Sequence, residues 1–100
     1  MSSSSATTQI LSYQDIADNY DPSKNTTRAI MNKYEKAKVL GVRIQQLASG
    51  GSTLIEGLNN PRDIAVAELE QGKLPFVIVR TLPNGIKEYW KVKDMTILPS

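Results

Sequence analysis

Neither cysteine nor histidine occurs in this 100-residue chain. Disulfides, zinc centres built on Cys or His, thiol nucleophiles and imidazole acid–base chemistry are thereby excluded together. Aromatic residues are scarce too: one Trp, one Phe and four Tyr serve whatever core the chain builds. A domain this short has much surface for its interior, so its own core is thin. A partner that contributes further buried surface suits such a composition. No apolar run approaches the roughly 20 residues of a membrane-spanning helix, and no membrane association is expected. The Ser/Thr-rich start, Met1 to Thr8, lacks the basic and apolar segments of a signal peptide, and an intracellular protein is expected.

Charge is modest but uneven. Residues 1–25 carry Asp15, Asp18, Asp21 and Lys24, a net of −2, and residues 26–100 carry eleven Lys/Arg against seven Asp/Glu, a net of +4. That balance permits contact with nucleic acid or an acidic protein surface and demands neither.

Residues 1–9 read as a disordered tail. Ile10 to Tyr20 reads as a short arm, helical or extended, broken by Asp21-Pro22-Ser23. The strongest helical signal runs from Lys33 to Ala48. Asn32 is suited to the N-cap, Glu35 stands three positions later as a capping box requires, and Gly50-Gly51 ends the helix. Thr26 or Thr27 is an alternative, earlier cap. At helical spacing Tyr34, Ala37, Leu40, Gly41, Ile44, Leu47 and Ala48 share one broad face, which is expected to be the packed one. Val39 and Val42 fall on the other side, with Glu35 and Gln46, and suggest a helix sandwiched between two surfaces. The small residues Ala37 and Gly41, four apart, admit close approach of another backbone.

A second helix is expected from Pro61, with Asn60 as cap, Asp63 in the first turn and Gly72 as the stop. A β-hairpin follows. Pro75 to Leu82 is apolar on both faces, as a strand covered on both sides is; Pro83-Asn84-Gly85 is the turn; and Ile86 to Val92 alternates, with Ile86, Trp90 and Val92 on one face. The expected organisation is a flexible arm over residues 1–25 and one α+β domain over 26–98, with two main helices and a C-terminal hairpin.

Candidate chemistry is thin. Asp15-x-x-Asp18-x-x-Asp21 faintly resembles a row of cation ligands but lacks the glycine and terminal Glu of a calcium loop, so a solvated acidic arm is the better reading. Gly50-Gly51-Ser52-Thr53 has no lysine and makes a poor phosphate cradle. Arg28, Lys33, Lys36, Lys38 and Arg43 form a basic cluster, yet only Tyr34 offers a stacking ring within it. A free-standing basic nucleic-acid-binding module is therefore the alternative reading. An enzyme ranks behind it, since no nucleophile–base set is assembled, and no cofactor is expected. Trp90 reads most simply as a core or interface anchor.

The stretch from Asn32 to Gln46 resembles the signature of the small subunit shared by eukaryotic RNA polymerases I, II and III, related to archaeal subunit K and bacterial omega. That pattern runs hydroxyl residue, any, aromatic, Glu, any, Ala, Arg, two apolar positions, small residue, any, Arg, small residue, any, Gln. Tyr34, Glu35, Ala37, Gly41, Arg43 and Gln46 match it, while Asn32, Lys38 and Ile44 depart. Asn caps a helix as a hydroxyl residue does. Lys38 keeps charge without the planar fork of Arg, and Ile44 alters one close packing contact. Thr26-Thr27, Pro61, Ile64-Ala65, Glu68-Leu69, Lys73 to Arg80, Leu82 to Gly85 and Glu88-Tyr89-Trp90 continue the resemblance in order.

The resemblance implies an omega-like fold and a non-catalytic subunit that clasps the largest polymerase subunit and supports assembly of the complex. DNA and RNA are then met only through that complex, whose active site lies in the two large subunits. Tyr34, Ala37 and Gly41 are expected to seat the helix on the partner. Glu35, Arg43 and Gln46 are expected to make polar contacts in or near the interface, and Trp90 with the hairpin to complete the clasp. The eukaryotic versions usually carry a long acidic N-terminal tail, and the one here is short. Gln45-Gln46-Leu47-Ala48 with Gly51-Ser52-Thr53-Leu54 is similar to versions encoded by large nucleocytoplasmic DNA viruses and points to a viral polymerase, hence to the nucleus, the cytoplasm, or a virion and viral factory.

Overall fold

The long helix starts where a side chain can replace a missing backbone partner. In the computed structural model, which describes residues 8–13 and 20–98, helix α1 spans Lys33–Ala48. The Glu35 amide donates to Asn32 Oδ1 at 2.7 Å, and the Asn32 amide donates to Glu35 Oε1 at 3.1 Å, a complete capping box. Thr26 and Thr27, the alternative caps, are used elsewhere. Helix α2 spans Pro61–Glu70 and is capped by Asn60, whose carbonyl oxygen accepts from Arg62 N at 2.8 Å. Both helices end on a glycine in the left-handed region, Gly50 at φ 98° and Gly72 at φ 68°. Paired bonds close each end: Gly51 N to Gln46 O and Gly50 N to Leu47 O, then Lys73 N to Glu68 O and Gly72 N to Leu69 O.

Strands β1 (Thr8–Ser12), β3 (Phe76–Thr81) and β4 (Lys87–Lys91) form an antiparallel sheet in the order β1-β3-β4. Ile78 lies opposite Ile10 on one side and Trp90 on the other. As the central strand, β3 is buried from Phe76 through Val79, in keeping with its apolar sequence on both faces. Two short strands, β2 (Ile30–Met31) and β5 (Thr96–Ile97), pair in parallel and close the chain against the start of α1. Val39 of α1, Leu69 of α2, Ile78, Trp90, Met31 and Met95 meet in one core. Among the described residues no helix is long and apolar enough to cross a membrane.

The two helices and the hairpin stand where the sequence places them, and three expectations change. Thr8–Ser12, assigned above to a flexible arm, is a sheet strand; its partner is some 70 positions away, and no local pattern reveals so remote a ladder. Of the rest of that arm, residues 20–25 are described and hold a short turn over Pro22–Lys24, while the tail up to residue 7 and residues 14–19 with Asp15 and Asp18 lie outside the described residues. Ile86 is exposed at the hairpin turn instead of sharing the inner face with Trp90.

The third change concerns α1, which is turned so that, of the expected stripe, Leu40 packs against the core and Ile44 and Leu47 are half-buried, while the rest faces out. Glu35, Val39 and Arg43 are its buried residues, and Val42 packs against the core, whereas Tyr34, Ala37 and Gly41 are exposed. The apolar stripe misleads because the inward face carries two charges, each neutralised inside the chain, and so looks polar.

The core is built from apolar side chains, and a chain without cysteine has no disulfide to reinforce it. Replacing the fully buried Leu69 by Ala is expected to lower unfolding stability by about 2–5 kcal/mol, measured by urea denaturation. Replacing Leu54, an exposed loop residue, should shift it by no more than about 0.5 kcal/mol.

Candidate protein-interaction surface

Buried charge survives only when paired and hydrogen-bonded. Arg43 meets that condition through Glu68 on α2: its Nε donates to Glu68 Oε1 at 2.6 Å and its Nη2 to Oε2 at 2.9 Å, a bidentate fork. The remaining donors reach Ser52 O at 2.8 Å and Gln46 Oε1 at 3.2 Å, and the Leu54 amide donates to Glu68 Oε2 at 2.8 Å. One ion pair thus ties α1 to α2 and holds the intervening loop at two points. The Arg43 guanidinium keeps the Glu68 carboxyl below its ordinary pKa, against the opposing effect of burial.

Glu35 is used in the same way at the other end of α1. Arg80 of β3 donates from Nε to Glu35 Oε2 at 2.7 Å and from Nη2 to Oε1 at 2.8 Å. Its other bonds go to the carbonyls of Arg28 and Ile30 and to Thr27 Oγ1. Thr27 Oγ1 is fully engaged. It donates to Glu88 Oε1 at 2.6 Å and accepts from Arg80 Nη1 at 3.1 Å and from Trp90 Nε1 at 3.0 Å. Glu88 also accepts from both amides and from the Thr26 hydroxyl. Burial opposes ionisation of Glu88, but the hydroxyls and amides of Thr26 and Thr27 prevail and hold its pKa at about 2.

These contacts divide the expected interface residues into two groups. Glu35, Arg43 and Trp90 are 2%, 7% and 7% exposed, and each is hydrogen-bonded within the chain, so each has a role in this chain's own fold. Among the described residues no buried side-chain nitrogen or oxygen lacks a hydrogen-bond partner, so the interior leaves nothing for a second protein to complete. Gln46 is exposed but is held by Arg43. Glu68, Arg80, Glu88 and Thr27, none of them an expected interface residue, are the partners that orient the others. Their signal was the presence of opposite charges in segments otherwise apolar.

Tyr34, Ala37 and Gly41 form the second group. Tyr34 is 60% exposed, with Lys38 Nζ 5.9 Å from its ring centre. Ala37 and Gly41 line a groove of about 580 Å³ together with Leu40, Ile44 and Leu98. A Cβ added to Gly41 meets nothing within 4 Å, so nothing among the described residues explains a glycine in mid-helix. A second groove adjoins the first through Lys36, Leu40, Arg62 and Leu98 and extends past Val66 to Glu70. The basic cluster is divided as well, since Arg43 points inward to Glu68. Among the described residues no group of Cys, His, Asp or Glu is placed to hold a metal ion.

Comparison with known proteins adds the relationship. The family described as RNA polymerase Rpb6 matches residues 16–76. Over 77 residues, 75% of this chain and 56% of the relative, the chain is 39% identical to the probable DNA-directed RNA polymerases I, II, and III subunit RPABC2 of Caenorhabditis briggsae. Identity is 40% over 72 residues with the corresponding subunit of Schizosaccharomyces pombe, covering 70% of this chain and 51% of that one. With that of Dictyostelium discoideum it is 41% over 76 residues, covering 74% and 56%. The chain spans about half the length of the curated relatives it matches. These relatives come from cellular organisms and give the viral reading no support.

The two charge networks make separate predictions. Arg43→Ala, which leaves Glu68 buried and unpaired, should lose about 3–5 kcal/mol of stability. Lys38→Ala, on the exposed side, should lose well under about 1 kcal/mol by the same urea assay. For Glu88 the folded pKa of about 2 lies below the ordinary 4.5, so its ionised form is favoured by folding. Its contribution is full above pH 4.5 and drains away as pH falls through about 2. The urea midpoint of the wild type should fall across that window. Glu88→Gln should start lower at neutral pH and show a shallower acid limb; an unchanged limb would remove Glu88 from the account.

Proposed function

We propose a clasping role for this chain, which belongs to the RNA polymerase Rpb6 family: it is a non-catalytic subunit that docks on the largest subunit of a multisubunit RNA polymerase through the outer face of α1. The observation that carries this reading is the exposed stripe of Tyr34, Ala37 and Gly41 beside half-buried Ile44, backed by a fold in which every buried polar side-chain atom among the described residues has a hydrogen-bond partner. Helix α1 is then sandwiched, with its own core on the Val39 side and the partner on the Gly41 side. DNA and RNA are met through the assembled complex, and the protein is intracellular. A viral source rests on the Gln45–Ala48 and Gly51–Leu54 segments alone. The domain boundary remains part of this proposal: the family-like unit runs from residue 26 to 98, and β1 is an added strand laid along its sheet.

Gly41 gives the test its sharpest form. Glycine in a helix interior costs about 1 kcal/mol relative to alanine, and the chain's own packing does not require it. Gly41→Ala should therefore raise the melting temperature. Gly41→Met should keep the isolated fold but fill the groove, and overpacking of about 1–3 kcal/mol weakens capture of the largest subunit about tenfold or more. Affinity isolation of wild-type and variant chains from native material, with identification and quantitation of co-eluting chains, measures this. Stoichiometric recovery of the two large subunits with the wild type, reduced with Gly41→Met, is the expected result. Recovery of the wild type as a free chain, or equal capture by Gly41→Met, contradicts it.

A further inference from the structure

The groove along α1 has an apolar floor and a cationic rim. Ala37, Leu40, Gly41, Ile44 and Leu98 form the floor; Lys33, Lys36 and Arg62 are the charged residues around it, and among the described residues no carboxylate lines it. Two of these cations stand where their own helices do not favour them. Lys33 is the first residue of α1 after its cap, and Arg62 is the second of α2 after its cap. A helix N-terminus carries partial positive charge and is stabilised by acidic residues, so a cation there is the wrong sign for the helix itself. Cations from the first turns of two helices thus border one apolar trough and add to its positive field. Glu70 enters only along the adjoining groove, beyond Val66.

We propose that this trough receives an acidic amphipathic helical segment of the partner, its small apolar residues on Gly41 and its carboxylates over Lys33 and Arg62. The inference rests on the docking role proposed above and adds the chemistry of what docks. From Lys33 on the rim to Ile44 in the floor the trough runs about 16 Å along α1, the length of three helical turns. That distance matches the spacing of anchors in helix-in-groove recognition. A nucleic-acid strand fits less well, because the floor is aliphatic and offers no ring on which bases stack. Opposite charges along the rim accelerate association and reject partners of the wrong sign.

The charge-reversed double variant Lys33→Glu/Arg62→Glu separates this idea from loss of fold. Both substitutions place carboxylates at helix N-termini, so the isolated chain should melt no lower than wild type. Capture of the largest polymerase subunit by this variant should nevertheless be about tenfold slower at low salt, with the wild-type advantage shrinking as salt rises. A labelled peptide of roughly 20 residues, with Leu and Ala on one face and Glu flanking it, should bind the full wild-type chain and not the variant. Capture by the double variant as fast as by wild type overturns the inference. So does equal binding of a peptide with Gln in place of Glu. Failure of the acidic peptide to bind while a single-stranded oligonucleotide does also overturns it, in favour of a nucleic-acid module. If Gly41→Met loses capture while the double variant keeps it, docking on this face stands and the acidic partner falls.

Discussion

The rotation of α1 about its own axis is fixed by two buried ion pairs, and the remaining architecture follows from that constraint. Glu35 and Arg43 stand two turns apart on one side of the helix, and each is gripped by a partner on a different element. Arg80 holds the first from the central strand, and Glu68 holds the second from α2. Turning the helix to bury its apolar stripe would strand both charges, and breaking one buried pair already costs about 3–5 kcal/mol. The helix therefore gives Val39 and Val42 to the core and leaves Tyr34, Ala37 and Gly41 to the outside. A small fold thus keeps an apolar face uncovered without collapsing onto it.

The same pairs organise the segments that have little regular structure. Arg80 collects the carbonyls of Arg28 and Ile30, and Glu88 collects Thr26 and Thr27. Residues 26–32 are thereby drawn along the β3-β4 hairpin to the start of α1. Tyr20 extends this attachment: its hydroxyl donates to Asp94 and accepts from the Lys91 amide, while the Lys91 ammonium lies 4.7 Å from its ring centre. Burial pushes the Tyr20 hydroxyl pKa up to about 12, so it stays protonated and able to donate at neutral pH. Side chains thus occupy much of the outer edge of β4, with Asn25 donating to the Tyr89 carbonyl.

Much of this was legible in the sequence where the physics is local. Asn32 with Glu35, Asn60 with Pro61, and the glycines at 50 and 72 mark both helices because caps and stops involve residues within one turn of each other. Asn84-Gly85 marks the hairpin for the same reason. The non-local features were not legible. β1 depends on a ladder with Phe76–Arg80, and β2 and β5 are two residues each, too short to carry a period. The inward face of α1 was misread because a hydrophobicity pattern counts Glu35 and Arg43 as surface, and only their partners show otherwise. The resemblance picked out positions that matter without saying why. Glu35, Arg43 and Trp90 are bonded inside this chain, and Tyr34, Ala37 and Gly41 are exposed on its surface.

A chain without cysteine allows one direct test, because a single introduced thiol reports on one position alone. Cysteine placed in turn at Val39, Ala37, Gly41 and Glu56, with labelling rates measured in the free chain and in the polymerase-bound form, reads the orientation of α1 and its cover together. In the free chain Ala37→Cys, Gly41→Cys and Glu56→Cys should label quickly and Val39→Cys slowly. On assembly Ala37→Cys and Gly41→Cys should become protected while the loop position Glu56→Cys stays reactive. Protection of Gly41→Cys already in the free chain, or its undiminished labelling in the complex, would contradict the account.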